Sequence, residues 1–229
     1  VFVVHKSHYK GKFGGGSALF DNATDYLTAP ASEDWNMGTG DFAIDYWVRF
    51  QTVDGSVTNP TIIDINNGNG TSAGMLIYFN GSALKFEYNA GAAAETFPWS
   101  PSANVWYHVA VTRASQVLRA FIDGTQIGSS AIVSKDFTGG TAGVRIGHRT
   151  TGGGYQLDGW MDELRVSKGI ARWNTNFTPP AGEHIPDSYT KLLLHMNGPN
   201  GSKNFAVDSF QAPKKVDVSR VRFMTNADA

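Results

Sequence analysis

The chain has 229 residues with 26 glycines, 9 prolines and no cysteine, so disulfide scaffolds, thiolate nucleophiles and cysteine zinc sites are excluded. Its 41% hydrophobic and 12% aromatic content excludes disorder as the main state, and the absence of any run of 18 apolar residues excludes a spanning helix. The 19 basic and 20 acidic residues leave a net charge of -1, which argues against nucleic acid as a partner.

Turn-forming clusters punctuate the chain about every 8 to 15 residues, from KGKFGGGS and MGTGD through NNGNG and FNGS to TGGTAG, TTGGG and MNGPNGS. That spacing predicts an all-β domain of antiparallel strands and leaves no room for long helices. From Phe42 to Phe50, apolar Phe42, Ile44, Tyr46, Val48 and Phe50 alternate with Ala43, Asp45, Trp47 and Arg49, which predicts a strand with one apolar face. The same period returns in Met75 to Phe79, Leu84 to Tyr88, Trp106 to Thr112, Leu118 to Ile122 and Val144 to Ile146. Asn80-Gly81 and Asp123-Gly124 join neighbouring runs and predict two-residue type I′ turns. Lys168 to Trp173 lacks alternation and predicts one short helical turn. Phe42, Ile44, Val48, Val109, Val111, Phe121, Ile146 and Leu164 are the expected core.

The motifs KFGGGSALFD and DYLTAP (12–30), GTGDFAIDYWVRF (38–50), WYHVAVTR with LRAFIDGTQIG (106–128), VRIGHR (144–149) and GWMDELRVSKGIARWNTNFTPP (159–180) occur in one order. In that order the chain resembles the laminin G-like group of the concanavalin A-like lectin and glucanase superfamily, over roughly residues 10–196. The resemblance implies a jelly-roll β-sandwich of two packed antiparallel sheets. The ARWNTNFTPP and YTKLLLHMNG segments resemble those of phage and environmental virion proteins, often in tandem copies.

Glucanase relatives write their retaining dyad as Glu-x-Asp-x-x-Glu, with carboxyls about 5 to 5.5 Å apart. None of Glu33, Glu87, Glu95, Glu163 and Glu183 begins such a run. Asp162 and Glu163 are adjacent, and neighbours on a regular strand face opposite ways, so they are not read as a dyad. Histidines 5, 8, 108, 148, 184 and 195 stand singly, with no nucleophile elbow or His-Glu-x-x-His pair. His108 is read as structural. No catalysis is expected.

Calcium is the better metal for this composition, because hard cations take oxygens from acidic turns such as those at Asp21, Asp25 and Asp158. The resemblance implies Asp21 and Asp162 as ligands of one structural calcium. The competing reading makes Asp21-Asn22 an Asx turn and pairs Asp162 with Arg165 or Arg145. Sugar recognition needs an aromatic face beside amides and carboxylates. Trp99, Tyr155, Tyr88, Asn67 and Asn69 are the candidates, drawn from aromatic residues near loops and from the polar INNGNGTSAG loop. Trp47, Trp106 and Trp160, at alternating positions, are read as packing.

These readings describe a jelly roll over 1–196 and a C-terminal arm or extra strand over 197–229. Leu192 to His195 is expected to close the sandwich beside the N-terminal strand. The expected function is non-catalytic binding or adhesion, with a glycan or host-surface polysaccharide as ligand. The module would be displayed on a virion or extracellular surface as part of an oligomer or larger assembly, with virion or other structural subunits as further partners. A purely structural capsid or tail decoration module, working by protein contacts, is the alternative. Neither nucleic-acid binding nor membrane insertion is expected.

Overall fold

The computed structural model of the protein describes residues 11–23, 25–53, 59–66, 73–140, 142–150, 155–197, 217–219 and 222–225. Its strands are β1 (Gly16–Asp21), β2 (Tyr26–Ala29), β3 (Phe42–Phe50), β4 (Thr61–Ile65), β5 (Met75–Phe79), β6 (Ala83–Tyr88), β7 (Ala93–Pro98) and β8 (Tyr107–Ala114). They continue with β9 (Val117–Ile122), β10 (Thr125–Ile132), β11 (Val144–Ile146), β12 (Asp158–Lys168), β13 (Thr190–Leu194), β14 (Asp217–Ser219) and β15 (Arg222–Thr225). Among the described residues the helical structure is a single 3₁₀ turn at Glu33–Trp35, capped by the Ser32 side chain, which accepts from the Asp34 N–H.

Two antiparallel sheets form the sandwich. The first runs β10-β9-β8-β3-β12-β1-β15, and the second β14-β2-β11-β4-β5-β6-β7. β12 is 11 residues long, so one edge accommodates β1 and β13 in line, at Met161↔Ala18 and Arg165↔Leu193, while β3 runs along the other. Thr190–Leu194 therefore lies in the first sheet. Farther along, β14 pairs with β2 and β15 with β1, which adds an edge strand to each sheet.

Period-two alternation sorts the side chains. Phe42, Ile44, Tyr46, Val48 and Phe50 meet Ile63, Ile65, Met75, Ile77, Phe79, Leu84 and Phe86 of the second sheet in the core. All eight residues named from the sequence as core are buried. Phe121, however, lies outside this cluster and packs edge-on against Phe177 at 5.4 Å, beneath a segment that covers the outer face of the first sheet.

The two turn motifs differ. Asp123 and Gly124 both have positive φ (48° and 78°), as a type I′ turn requires. At the other hairpin only Gly81 does (88°), and the strands end at Phe79 and Ala83, so three residues connect them rather than a type I′ pair. The Asn80 side chain is occupied in accepting from the Ser82 N–H. No helical turn forms at 168–173. Val166, Ser167 and Lys168 pair with Ile44, Ala43 and Phe42, and Gly169 (φ 86°) ends the strand in a left-handed conformation.

Candidate functional site

The outer face of the first sheet carries Asp45, Trp47, His108 and Arg165, and all four are buried. The residues after β12 roof them. Trp173 and Phe177 stack at 4.2 Å and present their edges to His108 at 5.6 and 5.7 Å. Thr112 Oγ1 donates to the Trp173 carbonyl, and the Phe177 N–H to that of Gly124. Arg172 clamps the returning chain through Asp187, at 3.0 and 2.8 Å, and holds the Asp187 carboxyl down to about 2. Lys12, over the Trp47 ring at 4.0 Å, and Phe13, edge-on to it, complete the cover.

Beneath the roof Arg165 donates twice to Asp45, and His184 Nε2 and His108 Nε2 lie 2.9 and 3.5 Å from Asp45 Oδ2. Burial alone would raise the Asp45 carboxyl, but the two histidines and the guanidinium outweigh it and hold the group below the ordinary carboxylate range. Next to this cluster β12 bulges. Asp162 opposes Trp47 and Arg165 opposes Asp45, which leaves two residues facing Tyr46, and Glu163 takes φ 53°. Adjacent carboxyls thereby come within electrostatic reach. Burial, the larger cause, and the charge of Glu163 push Asp162 up to about 8, against the opposing Phe13 N–H that Asp162 Oδ2 accepts at 3.0 Å.

The outer face of the second sheet has a different character. Tyr26, Thr28, Arg145, Lys85 and Glu87 are half-buried there, around buried Asp64, Leu76 and Tyr78. The segment leaving β11 crosses this face. Gly147 starts it in a left-handed conformation (φ 81°), where a Cβ would come within 2.3 Å of the Phe20 ring. The segment is tied to β4 by the Gly147 N–H on the Ile62 carbonyl, the Thr150 N–H on Asp64 Oδ2 and the Tyr155 carbonyl receiving the Thr61 N–H. It delivers Arg149, whose guanidinium carbon lies 3.9 Å from the Tyr155 ring centre and 5.5 Å from that of Tyr78. Burial, then the nearby Glu87, raises the Tyr78 hydroxyl. Arg145 lies over Tyr26 at 4.5 Å and donates to the Arg149 carbonyl. Arg149 and Tyr78 are buried, and Tyr26, Arg145 and Tyr155 are half-buried beside them on the sheet face.

A family model for the concanavalin A-like lectin/glucanases superfamily matches residues 21–172. The chain belongs to that superfamily. No curated protein matches this concanavalin A-like domain in sequence. A Bacteroides ovatus protein assigned to carbohydrate binding has the same fold at 17% identity and TM-score 0.65, over 92% of this chain and 60% of its own. The present chain thus spans less than two thirds of that protein. The CBM40 module of Ruminococcus gnavus IT-sialidase, bound to α2,3-sialyllactose, is similar at 12% identity and TM-score 0.50, over 70% of this chain and 95% of its own. The heptameric SAP-like pentraxin of Limulus polyphemus is similar at 16% identity and TM-score 0.50, over 90% and 94%.

The structure of this concanavalin A-like domain separates the residues proposed from sequence. Tyr155 is half-buried on the outer face of the second sheet. Tyr88 faces the other way: its ring packs on Phe86 and Phe137 at the end of the core, and its hydroxyl donates to Glu95. Trp99 is 9% exposed and wedged among Phe50, Phe79 and Tyr107, which makes it core cover rather than a ligand platform. Asn67 and Asn69 lie outside the described residues. Arg149 was missed; the signal available was an arginine between a strand and the TTGGG run.

The calcium pair is not assembled either. Asp21 opposes Asp158, so Asp162 lies four residues, about 13 Å, farther along β12. Asp21 instead accepts from the Ala23 N–H in an Asx turn, and the Arg165 once considered for Asp162 is spent on Asp45. For hydrolysis, the bulge does bring Asp162 and Glu163 to bear on one another, contrary to the regular-strand rule, yet both are fully buried. Asp64 on the other sheet is likewise buried, and there it anchors Thr150.

Proposed function

We propose that this chain is a non-catalytic binding module for a glycan, held on the outer face of the second sheet against Tyr155 and Arg149, and displayed on a virion or another extracellular assembly. The observation that carries the reading is the half-buried Tyr155 ring with the buried Arg149 guanidinium carbon 3.9 Å from its centre, beside half-buried Arg145 and Tyr26. An aromatic face takes the apolar side of a sugar ring, and neighbouring donors and acceptors take its hydroxyls. The opposite outer face is roofed by the residues after β12, whereas Tyr26, Arg145, Lys85, Glu87 and Tyr155 of this one stay partly exposed. Similarity to carbohydrate-binding folds supports the class of ligand. Display on a virion rests on the resemblance of ARWNTNFTPP (171–180) and YTKLLLHMNG (189–198) to segments of virion proteins. A glycan array probed with the full chain and with Tyr155→Ala tests the proposal: sugar-selective signal that falls in the variant supports it, and no signal on any glycan contradicts it.

The structural decoration reading is favoured by one observation. β14 and β15 complete the edges of both sheets, and such edge strands are exchangeable between copies. A stoichiometric place in a purified particle, without glycan binding, would select it.

A further inference from the structure

Two groups on the outer face of the first sheet bring histidine nitrogens and carboxylate oxygens within 4.8 Å of one another: Asp45, His108 and His184, and separately Glu163, Glu183 and His195. In the first, the Arg165 guanidinium already supplies a fixed positive charge to both oxygens of Asp45. In the second, no arginine or lysine is bonded to the carboxylates among the described residues.

The second group is assembled from three parts of the chain. Glu163 projects from the bulge of β12, and its Oε2 accepts from the His184 N–H at 2.7 Å while Oε1 lies 2.7 Å from His195 Nδ1. Glu183 lies on the segment that leads to β13 and His195 directly follows that strand, and the Asn197 amide donates to Glu183 Oε1 at 2.6 Å. The heads of Glu183 and Asn197 close on Gly14, where a Cβ would meet them at 2.0 to 2.4 Å, so the N-terminal segment forms the floor. A buried oxygen without a donor borders the group: Asn197 Oδ1, on the side chain that donates to Glu183. Buried acceptors left without a partner are costly, and a cation beside them removes that cost.

We propose that Glu163, Glu183 and His195 bind a divalent metal ion of the zinc class, with Asn197 Oδ1 next to it as a further oxygen donor. Two carboxylates and one imidazole suit such an ion, whereas calcium takes oxygen ligands throughout. The ion would pin β12, the segment that leads to β13 and the residues that follow that strand together. The glycan reading concerns the opposite sheet, and this proposal stands without it.

The test is titration of the metal-stripped full chain with zinc chloride, followed by calorimetry and thermal unfolding, with calcium chloride as the comparison. One equivalent of zinc should bind and raise the unfolding midpoint, and calcium should do neither. Glu183 is exposed, so Glu183→Gln retains the fold, and it should weaken zinc binding about tenfold or more, as should His195→Gln. No binding by the parent chain, undiminished binding in both variants, or calcium binding of equal strength would overturn the proposal.

Discussion

Arg165 and Asp45 face one another directly across β12 and β3, and the guanidinium meets the carboxylate through two parallel hydrogen bonds of 3.0 Å, Nε to Oδ1 and Nη2 to Oδ2. The bulge at Glu163 sets the register that makes them partners. Both residues are buried, so the pair depends on its geometry. Asp45→Asn leaves the guanidinium buried against a neutral amide. The expected loss is about 3 to 5 kcal/mol, read from denaturant unfolding.

Acid should act through the same carboxylate. Its folded-state pKa lies below the ordinary value of 3.8, so it contributes stability at higher pH that is lost as pH falls below that value. The unfolding midpoint of the parent chain should drop through this window. In Asp45→Asn that part of the slope should be missing, and an unchanged slope would assign acid sensitivity elsewhere.

The roof is a separate layer and should loosen separately. Phe177 stacks on Trp173 and meets Phe121 and His108 edge-on. Phe177→Ala should destabilise by about 2 kcal/mol and speed hydrogen exchange over 173–189 while the core strands keep their protection.

What the sequence disclosed follows the same layering. Alternation in β3 identifies Ile44 and Val48 as core, because a sandwich needs one apolar face per strand. It is silent on the fact that Asp45, Trp47 and Arg49 are buried too, since a second cover laid over a sheet leaves no periodic trace. The bulge at Glu163 inserts one residue into an otherwise regular pattern, and only the partner strand reveals it. Asp123-Gly124 and Asn80-Gly81 look alike as dipeptides, yet they close loops of different length. For the site, Tyr88 and Tyr155 are equivalent by composition, and the parity of Tyr88 with Phe86 was the available warning that it faces inward.

Gly147 links the fold to the proposed site. A Cβ there meets the Phe20 ring at 2.3 Å and would be held at φ 81°, so Gly147→Ala must displace the segment carrying Arg149 and Tyr155. A stability loss of about 1 to 3 kcal/mol is expected, with weakened glycan binding in the folded fraction. Binding at full strength would separate the loop from the site.

Removing residues 199–229 takes away β14 and β15 and bares the edges of β2 and β1. Bare edges recruit strands, so sedimentation of the truncated chain should show concentration-dependent association beyond that of the parent. A truncated chain that stays folded and associates no more than the parent would leave the C-terminal strands without an edge-protecting role.

The most direct test of the central claim is amide chemical-shift mapping of the full chain titrated with the glycan selected on the array. Shifts concentrated at Tyr78, Arg149, Tyr155 and their neighbours on β4, β5 and β11 are predicted. Shifts confined to the roofed face of the first sheet, around Trp173 and His184, would contradict the account.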